Sequence, residues 1–344
     1  MSVSILLSVF NEEKVIRERV KNISEQEFDF KSLELLVGSD ASNDKTNKIL
    51  TELQLDYPWL KFYSFQSRRG KALVLNDLAK RSNNDILVFT DANSRFQKNA
   101  IKKLTEKFSD DEIGGVSGRL VLKEKSYSNF ESNEERRYWE YETKIKKAEG
   151  RCGTLIGANG GIFALRRNMY KKIPDNISLT DDLFLTVSVL KMGKKFCYAK
   201  DAIAYEEIAP TIRDEYSRKI RFSATNYKTL SYLGLKLKGA NLLANFCYIS
   251  HKVIRWFIPF VLLMLLILNI VLYSSSTFFT VTAVLQGLFI FLAVSGFFLS
   301  KIQIRIIIFS IPFFFLLTNI AMLSGFVNYL RGKQSGIWKP TPRD

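Results

Sequence analysis

The sequence predicts an α/β domain built on a parallel sheet, followed by a C-terminal transmembrane helical region. Three observations carry that expectation. Short apolar runs alternate with longer charged segments of helical period through the first part of the chain. Beyond Arg255 no charged residue occurs until Lys301, and after Arg305 none until Arg331. The residues that directly follow the apolar runs are acids, amides and serines.

Residues 3–10, 33–37, 61–65 and 85–90 read as buried strands, and residues 12–24, 44–53, 71–81 and 99–108 as helices. Strand then helix, four times over, predicts parallel strands covered on both faces. In such sheets ligands lie beyond the carboxyl ends of the strands, so the residues after each run are the informative ones. The uncharged stretch after Arg255 is about twice what one helix needs to cross roughly 30 Å of hydrocarbon. Ser274, Ser275, Ser276 and Thr277 supply a polar turn within it.

The chain has 344 residues and a net charge of +16. Only six of its 50 Lys and Arg, and one of its 34 Asp and Glu, lie beyond Arg255, which leaves the first 255 residues at +11. Such a balance beside a membrane suits anionic headgroups, phosphorylated substrates or the cytoplasmic side of a bilayer. Nucleic acid fits the charge but not the pattern, because the aromatics sit inside apolar runs and no zinc spacing or RNA-binding signature is present; no nucleic-acid partner is expected. Cys152, Cys197 and Cys247 are far apart and form no CxxC pair. The apolar stretch at the start is short and lacks a basic flank, so the chain is expected to begin within the domain rather than in a signal peptide. A single histidine, His251, excludes Ser/His/Asp hydrolases and HExxH metalloproteases. Any acid or base must be a carboxylate, lysine, tyrosine or cysteine.

Asn11-Glu12-Glu13 follows the first run, Ser39-Asp40-Ala41-Ser42-Asn43-Asp44 the second, and Asp91-Ala92-Asn93-Ser94 the fourth. Two readings stand for each: a helix N-cap that satisfies free backbone N–H groups, or part of an acidic site at the sheet edge. No GxGxxG follows the first strand and no GxxxxGK[ST] occurs anywhere, so a nucleotide would have to be held by carboxylates and a metal ion. Asp91 and Asn93 offer oxygen ligands suited to Mg²⁺ or Mn²⁺ on a diphosphate.

The ordered set Ser8-Val9-Phe10-Asn11-Glu12-Glu13, Ser39-Asp40-Ala41-Ser42-Asn43-Asp44, Gly70-Lys71-Ala72, Thr90-Asp91-Ala92-Asn93, Thr180-Asp181-Asp182 and Arg218-Lys219-Ile220-Arg221-Phe222 resembles the signatures of family 2 inverting glycosyltransferases, in particular the membrane-bound polysaccharide synthases. The resemblance implies a Rossmann-like, A-type glycosyltransferase fold that binds a nucleotide-diphosphate sugar and Mg²⁺ or Mn²⁺. It implies donor-binding roles for Asn11, Glu12, Glu13, Asp40, Lys71, Asp91, Arg218 and Arg221, and metal contacts at Asp91 and Asn93, where Asn93 replaces the second aspartate of a DxD site. Asp182, paired with Asp181, matches the catalytic base, and Gly160, Gly161 and Phe222 match the acceptor side. Other readings remain open at this point. Lys71 also suits a helix surface, the glycines a plain turn, Asp181 and Asp182 a helix N-terminus, and Arg218 to Phe222 a basic face on anionic lipid. Arg218 and Phe222 depart from the QxxRW of processive synthases, which leaves processivity open.

The expected organisation is a cytoplasmic glycosyltransferase domain over residues 1–235, an interfacial amphipathic segment over 236–255, a transmembrane region over 256–330 and a basic tail over 331–344. Residues 256–273, 278–298 and 306–330 are the spanning candidates. Three complete passes would put the basic tail outside, against the positive-inside rule, so either the third segment, which contains Pro312, Asn319 and Gly325, is broken or re-entrant or the tail is an exception; a cytoplasmic tail near the domain is expected. The expected setting is the inner (cytoplasmic) membrane. The expected partners are membrane lipids, a glycan or lipid-linked acceptor such as a polyprenyl phosphate, and an export partner or a second copy of the chain.

Overall fold

The computed structural model describes residues 1–123, 130–207, 212–302, 304 and 306–332. From the N-terminus, β1 (Val3–Val9) leads into α1 (Ile16–Ser24), β2 (Leu33–Ser39) into α2 (Thr46–Asp56) and β3 (Leu60–Ser64) into α3 (Lys71–Arg81). β4 (Ile86–Thr90) is followed by the short β5 (Arg95–Phe96) and α4 (Ala100–Thr105). The second half of the domain comprises β6 (Ile113–Lys123), α5 (Phe130–Arg151), β7 (Phe163–Arg166), α6 (Asp181–Lys191), β8 (Lys195–Glu207) and α7 (Ile212–Leu233).

These strands form one sheet in the order β3-β2-β1-β4-β7-β6-β8-β5. The first four are parallel, with Leu7 opposite Val37 on one side and Thr90 on the other. Their side chains divide with period two, as pleated backbone requires. Ile5, Leu7, Leu35, Val37 and Val88 pack under α1 and α2, while Leu6, Leu36, Leu87 and Phe89 pack under α3 and α6. Near-continuous apolar runs are the consequence of burial on both faces.

The four expected strands are parallel, but the strands that follow make the sheet mixed. β7 runs antiparallel to both β4 and β6, with Phe89 opposite Phe163 and Ser117 opposite Phe163 on its other side. The reason lies in the preceding loop. Gly160 lies beside Asp91, just past the end of β4, so the chain enters β7 from that edge and can only run back down the sheet.

After the domain come α8 (Leu242–Cys247), a π-helical turn (Tyr248–Val253), α9 (Ile254–Leu272), α10 (Thr277–Lys301) and α11 (Ile307–Leu330). Among the described residues three helices are long and apolar enough to cross a membrane: Leu242–Leu272, Thr277–Lys301 and Ile307–Leu330. The segment expected to be interfacial is thus continuous with the first of them. Ser276 caps α10 through its hydroxyl, so the predicted polar turn is a helix start. Asn269 joins α9 to α10 by donating to Gln286 at 2.8 Å and accepting from Thr282 at 3.0 Å, which satisfies polar groups that lipid cannot.

α11 is one continuous helix despite Pro312. Its buried face, which includes Ser310, Phe313, Asn319, Ala321 and Gly325, packs on α7 and α10. A Cβ at Gly325 would stand 2.5 Å from Ser223 Cβ and 2.7 Å from the Ile220 carbonyl oxygen, so only glycine permits that approach of α11 to α7. Near its end, Phe326 and Tyr329 pack on Tyr227 of α7, and Phe326 also on Phe260 in the second turn of α9. Arg305 and the tail beyond Gly332, expected near the domain, lie outside the described residues.

Candidate active site

At the carboxyl edge of the sheet the β1 and β2 loops are zipped together by side chains. Asn11 donates from Nδ2 to Asn43 Oδ1 at 2.7 Å and accepts the Asn43 N–H at 3.0 Å. The Glu12 N–H donates to Thr46 Oγ1, the Glu13 N–H to Asp44 Oδ2, and the Lys45 N–H to Glu13 Oε2. Asp44 Oδ1 accepts the Thr46 N–H in an Asx turn one residue before the N-cap position, which Lys45 holds without a side-chain bond. Asn11 (φ 54°) and Ala41 (φ 59°) both occupy the left-handed region at adjacent strand ends. That conformation disfavours alanine, so it is held there by the surrounding bonds.

Asp40 is buried and does not cap its own helix. Its two oxygens accept the N–H groups of Arg69 at 2.7 Å and Gly70 at 2.9 Å, with the Arg68 guanidinium 3.6 Å away. This grip orders the loop that starts α3, where Gly70 (φ 87°) makes the turn. Lys71, the first residue of α3, consequently points across the edge. Its ammonium lies 2.7 Å from Asp91 Oδ1 and 3.3 Å from Asp181 Oδ2. Burial lowers the affinity of Lys71 for its proton, but the carboxylates of Asp181, Asp91 and Asp182 more than offset that and raise it above the ordinary lysine range.

Asp181 and Asp182 open α6, and Asp182 Oδ1 accepts the Leu183 N–H at 2.7 Å. Its other oxygen faces the glycine loop: a Cβ at Gly160 would stand 3.7 Å from Asp182 Oδ2 and 3.9 Å from Asp91 Oδ2. Asp91, Asp182, Lys71 and Gly160 therefore share one cleft. Burial and the neighbouring Asp181 raise the Asp182 carboxyl to about 6, against the pull of Lys146 and Lys71. Asp181 Oδ2 is buried without a hydrogen-bond partner among the described residues.

Arg218 and Lys219 on α7 are tied to Glu135 of α5 and to Glu215 one turn back, with Arg218 2.6 Å from Glu215 and Lys219 3.0 Å from Glu135. Arg221 stacks on Phe222 at 5.2 Å, and burial together with Arg218 lowers it to about 10. Phe222 is half-exposed. A Cβ at Gly161 would run into Glu206 and into Ser94 Oγ rather than into Phe222.

Three residues here are not among the sequence candidates. Glu206, near the end of β8, accepts the Ser94 hydroxyl at 2.5 Å, and burial with nearby Asp91 raises its carboxyl. Arg19 is fully buried under the same edge and donates to Thr90 Oγ1 at 2.8 Å, and Thr90 in turn donates to the Gly161 carbonyl. Lys146 on α5 donates to Asn159 Oδ1 at 2.6 Å. Arg19 and Lys146 sit in ordinary amphipathic helices, and only a charge falling on the apolar face marks either one.

A mixed α/β sheet whose carboxyl edge gathers carboxylates around one lysine, backed by a glycine loop, defines a sugar-transferase domain of the A type. Residues 4–174 match the family model of Glycosyl transferase family 2, and the chain belongs to that family. It is 27% identical over 258 residues to the probable glycosyltransferase YdaM of Bacillus subtilis, covering 72% of this chain and 61% of that one. It is 21% identical over 231 residues to the poly-beta-1,6-N-acetyl-D-glucosamine synthase of Staphylococcus epidermidis (66% and 55%), and 28% identical over 254 residues to the beta-monoglucosyldiacylglycerol synthase of a Nostoc species (69% and 52%). The chain thus spans between about half and six-tenths of the length of these relatives. Its fold is shared with the mannosyltransferase PcManGT from Pyrobaculum calidifontis, solved in complex with GDP-Man and Mn²⁺, at a TM-score of 0.71 and 19% identity over 96% of this chain and 88% of that one.

A carboxylate takes a proton only when ionised, so a transferase that uses Asp182 loses kcat/KM as the pH falls through about 6. A profile of kcat/KM against pH that stays flat down to about 4.5, near an unperturbed carboxylate, contradicts the assignment.

Proposed function

We propose that this protein transfers a sugar from a nucleoside-diphosphate sugar, with inversion, to a growing surface polysaccharide or glycan at the cytoplasmic face of the membrane. The observation that carries the proposal is the Lys71 ammonium held between Asp91 and Asp181, with Asp182 and Gly160 completing the same cleft. The donor side of this cleft is the Asn11–Asp44 zipper, Asp40 and Lys71; the acceptor side is the glycine loop and α6.

Asp91, with Asn93 two residues on, would hold a hard divalent cation only together with ligand oxygens, since no cluster of three or more acids, histidines or cysteines is present among the described residues. Asp91 Oδ2 faces the cleft while Oδ1 binds Lys71, and one carboxylate with one amide is the sparse donor set of an ion that also takes diphosphate oxygens. Mg²⁺ or Mn²⁺ bound there supplies charge neutralisation to the leaving diphosphate. PcManGT, of the same fold, was solved with Mn²⁺.

Asp182 takes the proton of the acceptor hydroxyl as that oxygen bonds to the anomeric carbon. The bond from that carbon to the diphosphate breaks on the opposite face, and the nucleoside diphosphate leaves with the electron pair. Burial and Asp181 raise the proton affinity of Asp182 toward neutrality, which suits a general base. Lys71 and, across the edge, Arg218 and Arg221 supply positive charge toward the diphosphate. Gly160 admits the acceptor because any side chain there would stand against Asp182 and Asp91.

A second reading, transfer of one sugar to a lipid or polyprenyl phosphate, draws support from the similarity to a glycolipid synthase and from the change of QxxRW to Arg218 through Phe222. Incubation with labelled UDP- and GDP-sugars separates the two. A ladder of polymer supports the first reading and a single extractable glycolipid the second. Asp182→Asn is expected to lower kcat by about 10² to 10⁴ while the affinity for UDP or GDP changes less than about threefold. Equal turnover by that variant removes Asp182 as the base.

The contacts of Phe326 and Tyr329 with Tyr227 place the end of α11 against the catalytic domain. Three alternating passes would put it on the opposite side, so these contacts favour a topology in which α9 and α10 form a hairpin and α11 lies along α7 at the membrane surface. A cysteine placed at Gly332 is therefore expected to react with an impermeant thiol reagent only when the cytoplasmic face is opened. Labelling of intact cells from outside contradicts this topology.

A further inference from the structure

The membrane-proximal segment does not merely tether the domain. Tyr248, Val253 and Trp256 are buried in the same apolar cluster as Phe89, Leu155 and Leu183. On the face turned to α5, this segment carries charge into the interior. His251 lies 2.8 Å from Glu149 Oε1 through Nδ1 and 3.0 Å from Glu142 Oε1 through Nε2. Lys252 donates to Glu142 at 2.9 Å and Arg255 at 2.7 Å, and Lys146 lies 4.0 Å from the same carboxylate.

Three strands of this network end on one short loop. Glu149 Oε2 accepts the Ile156 N–H at 3.1 Å. Lys146 donates to Asn159, whose Nδ2 donates to the Gly118 carbonyl at 2.6 Å and whose N–H donates to Ser117 Oγ at 3.0 Å. Lys252 Cε would lie 3.2 Å, and its Nζ 3.5 Å, from a Cβ placed on Gly157, a residue already at φ 76°. The next residue after Asn159 is Gly160, against which Asp91 and Asp182 rest.

We infer that Lys146, with Glu142 and the His251-Lys252-Arg255 turn at the start of the first membrane helix, is a positioning device that sets the 156–160 loop against Asp182. Burying this many charges is costly, and a packed apolar junction of the same shape would stabilise the fold at least as well. What the charges add is direction: each hydrogen bond fixes the loop at a named atom. Burial raises the Glu142 carboxyl, but Lys252, His251 and Lys146 overcome this and hold it well below its ordinary range, so the carboxylate stays charged at the centre of the network. Burial likewise lowers Lys146 to about 8, and Glu142 partly restores it. The network joins the lipid-facing helix to the acceptor side of the cleft, so membrane insertion and loop geometry are one structural unit.

The inference rests on the proposed function only in naming the loop as the acceptor side, and its test does not require turnover. Hydrogen exchange on the full chain in nanodiscs compares wild type with Glu142→Gln. The expected result is exchange faster by about tenfold or more at the amides of residues 156–160, with the strands Val3–Val9, Leu33–Ser39 and Ile86–Thr90 unchanged. Lys252→Met, which leaves His251 and Arg255 on Glu142, serves if Glu142→Gln fails to fold. Unchanged exchange over 156–160, or an equal rise throughout the domain, overturns the inference. With UDP- and GDP-sugars, Lys146→Met is expected to lower kcat by about tenfold or more at unchanged donor KM, and Lys146→Arg to recover most of it. A loss in donor KM alone, or no rescue by Arg, also overturns it. Absence of any turnover in wild type counts against the proposed function and leaves the exchange result to decide the inference.

Discussion

One ammonium group holds the two halves of this domain in register. Lys71 begins a helix of the N-terminal half, yet it reaches Asp91 at the end of β4 and Asp181 at the start of α6. Without a cation there, three carboxylates at one sheet edge would repel one another in a poorly hydrated cleft. With it, their mutual proximity becomes affordable and Asp182 can be held at a raised proton affinity without being neutralised. The preparation of Lys71 is itself structural: Asp40 grips the N–H groups of Arg69 and Gly70, and that grip aims the next residue into the cleft.

The first half of the fold was legible because burial on both faces leaves a strong signature: short apolar runs, each followed by an amphipathic helix. The parallel strands β1 to β4 all lie within one or two residues of where the apolar runs put them. The antiparallel β7 was not legible, since periodicity reports exposure and not direction. Its reversal follows from a loop that crosses the sheet edge, a long-range fact. In the site, Asp91, Lys71 and Asp182 were visible because each lies directly at the end of a strand or the start of a helix, and Gly160 because it belongs to a paired-glycine turn. Glu206, Arg19 and Lys146 were not, because their side chains project from element interiors and only the folded chain shows where.

The junction with the membrane segment is the other place where the sequence divided what the fold unites. A border near residue 236 follows from composition, but burial ignores it: Tyr248 and Trp256 complete the apolar layer that begins with Leu6 and Phe89. α7 and α11 share the same logic from the opposite direction. A helix apolar enough to span a bilayer also lays its small-residue face, centred on Gly325, against the charged helix that carries Arg218 and Arg221. Both arrangements join the long apolar helices to the elements that carry the candidate site.

The central claim is that Asp91, beside Lys71, is the protein anchor for a cation-bound nucleoside diphosphate. Electron paramagnetic resonance of Mn²⁺ added to the full chain with UDP or GDP tests it most directly. The account predicts a protein-bound Mn²⁺ signal that requires the nucleotide, persists in Asp182→Asn and is lost in Asp91→Asn. A nucleotide-dependent signal that survives Asp91→Asn unchanged contradicts it.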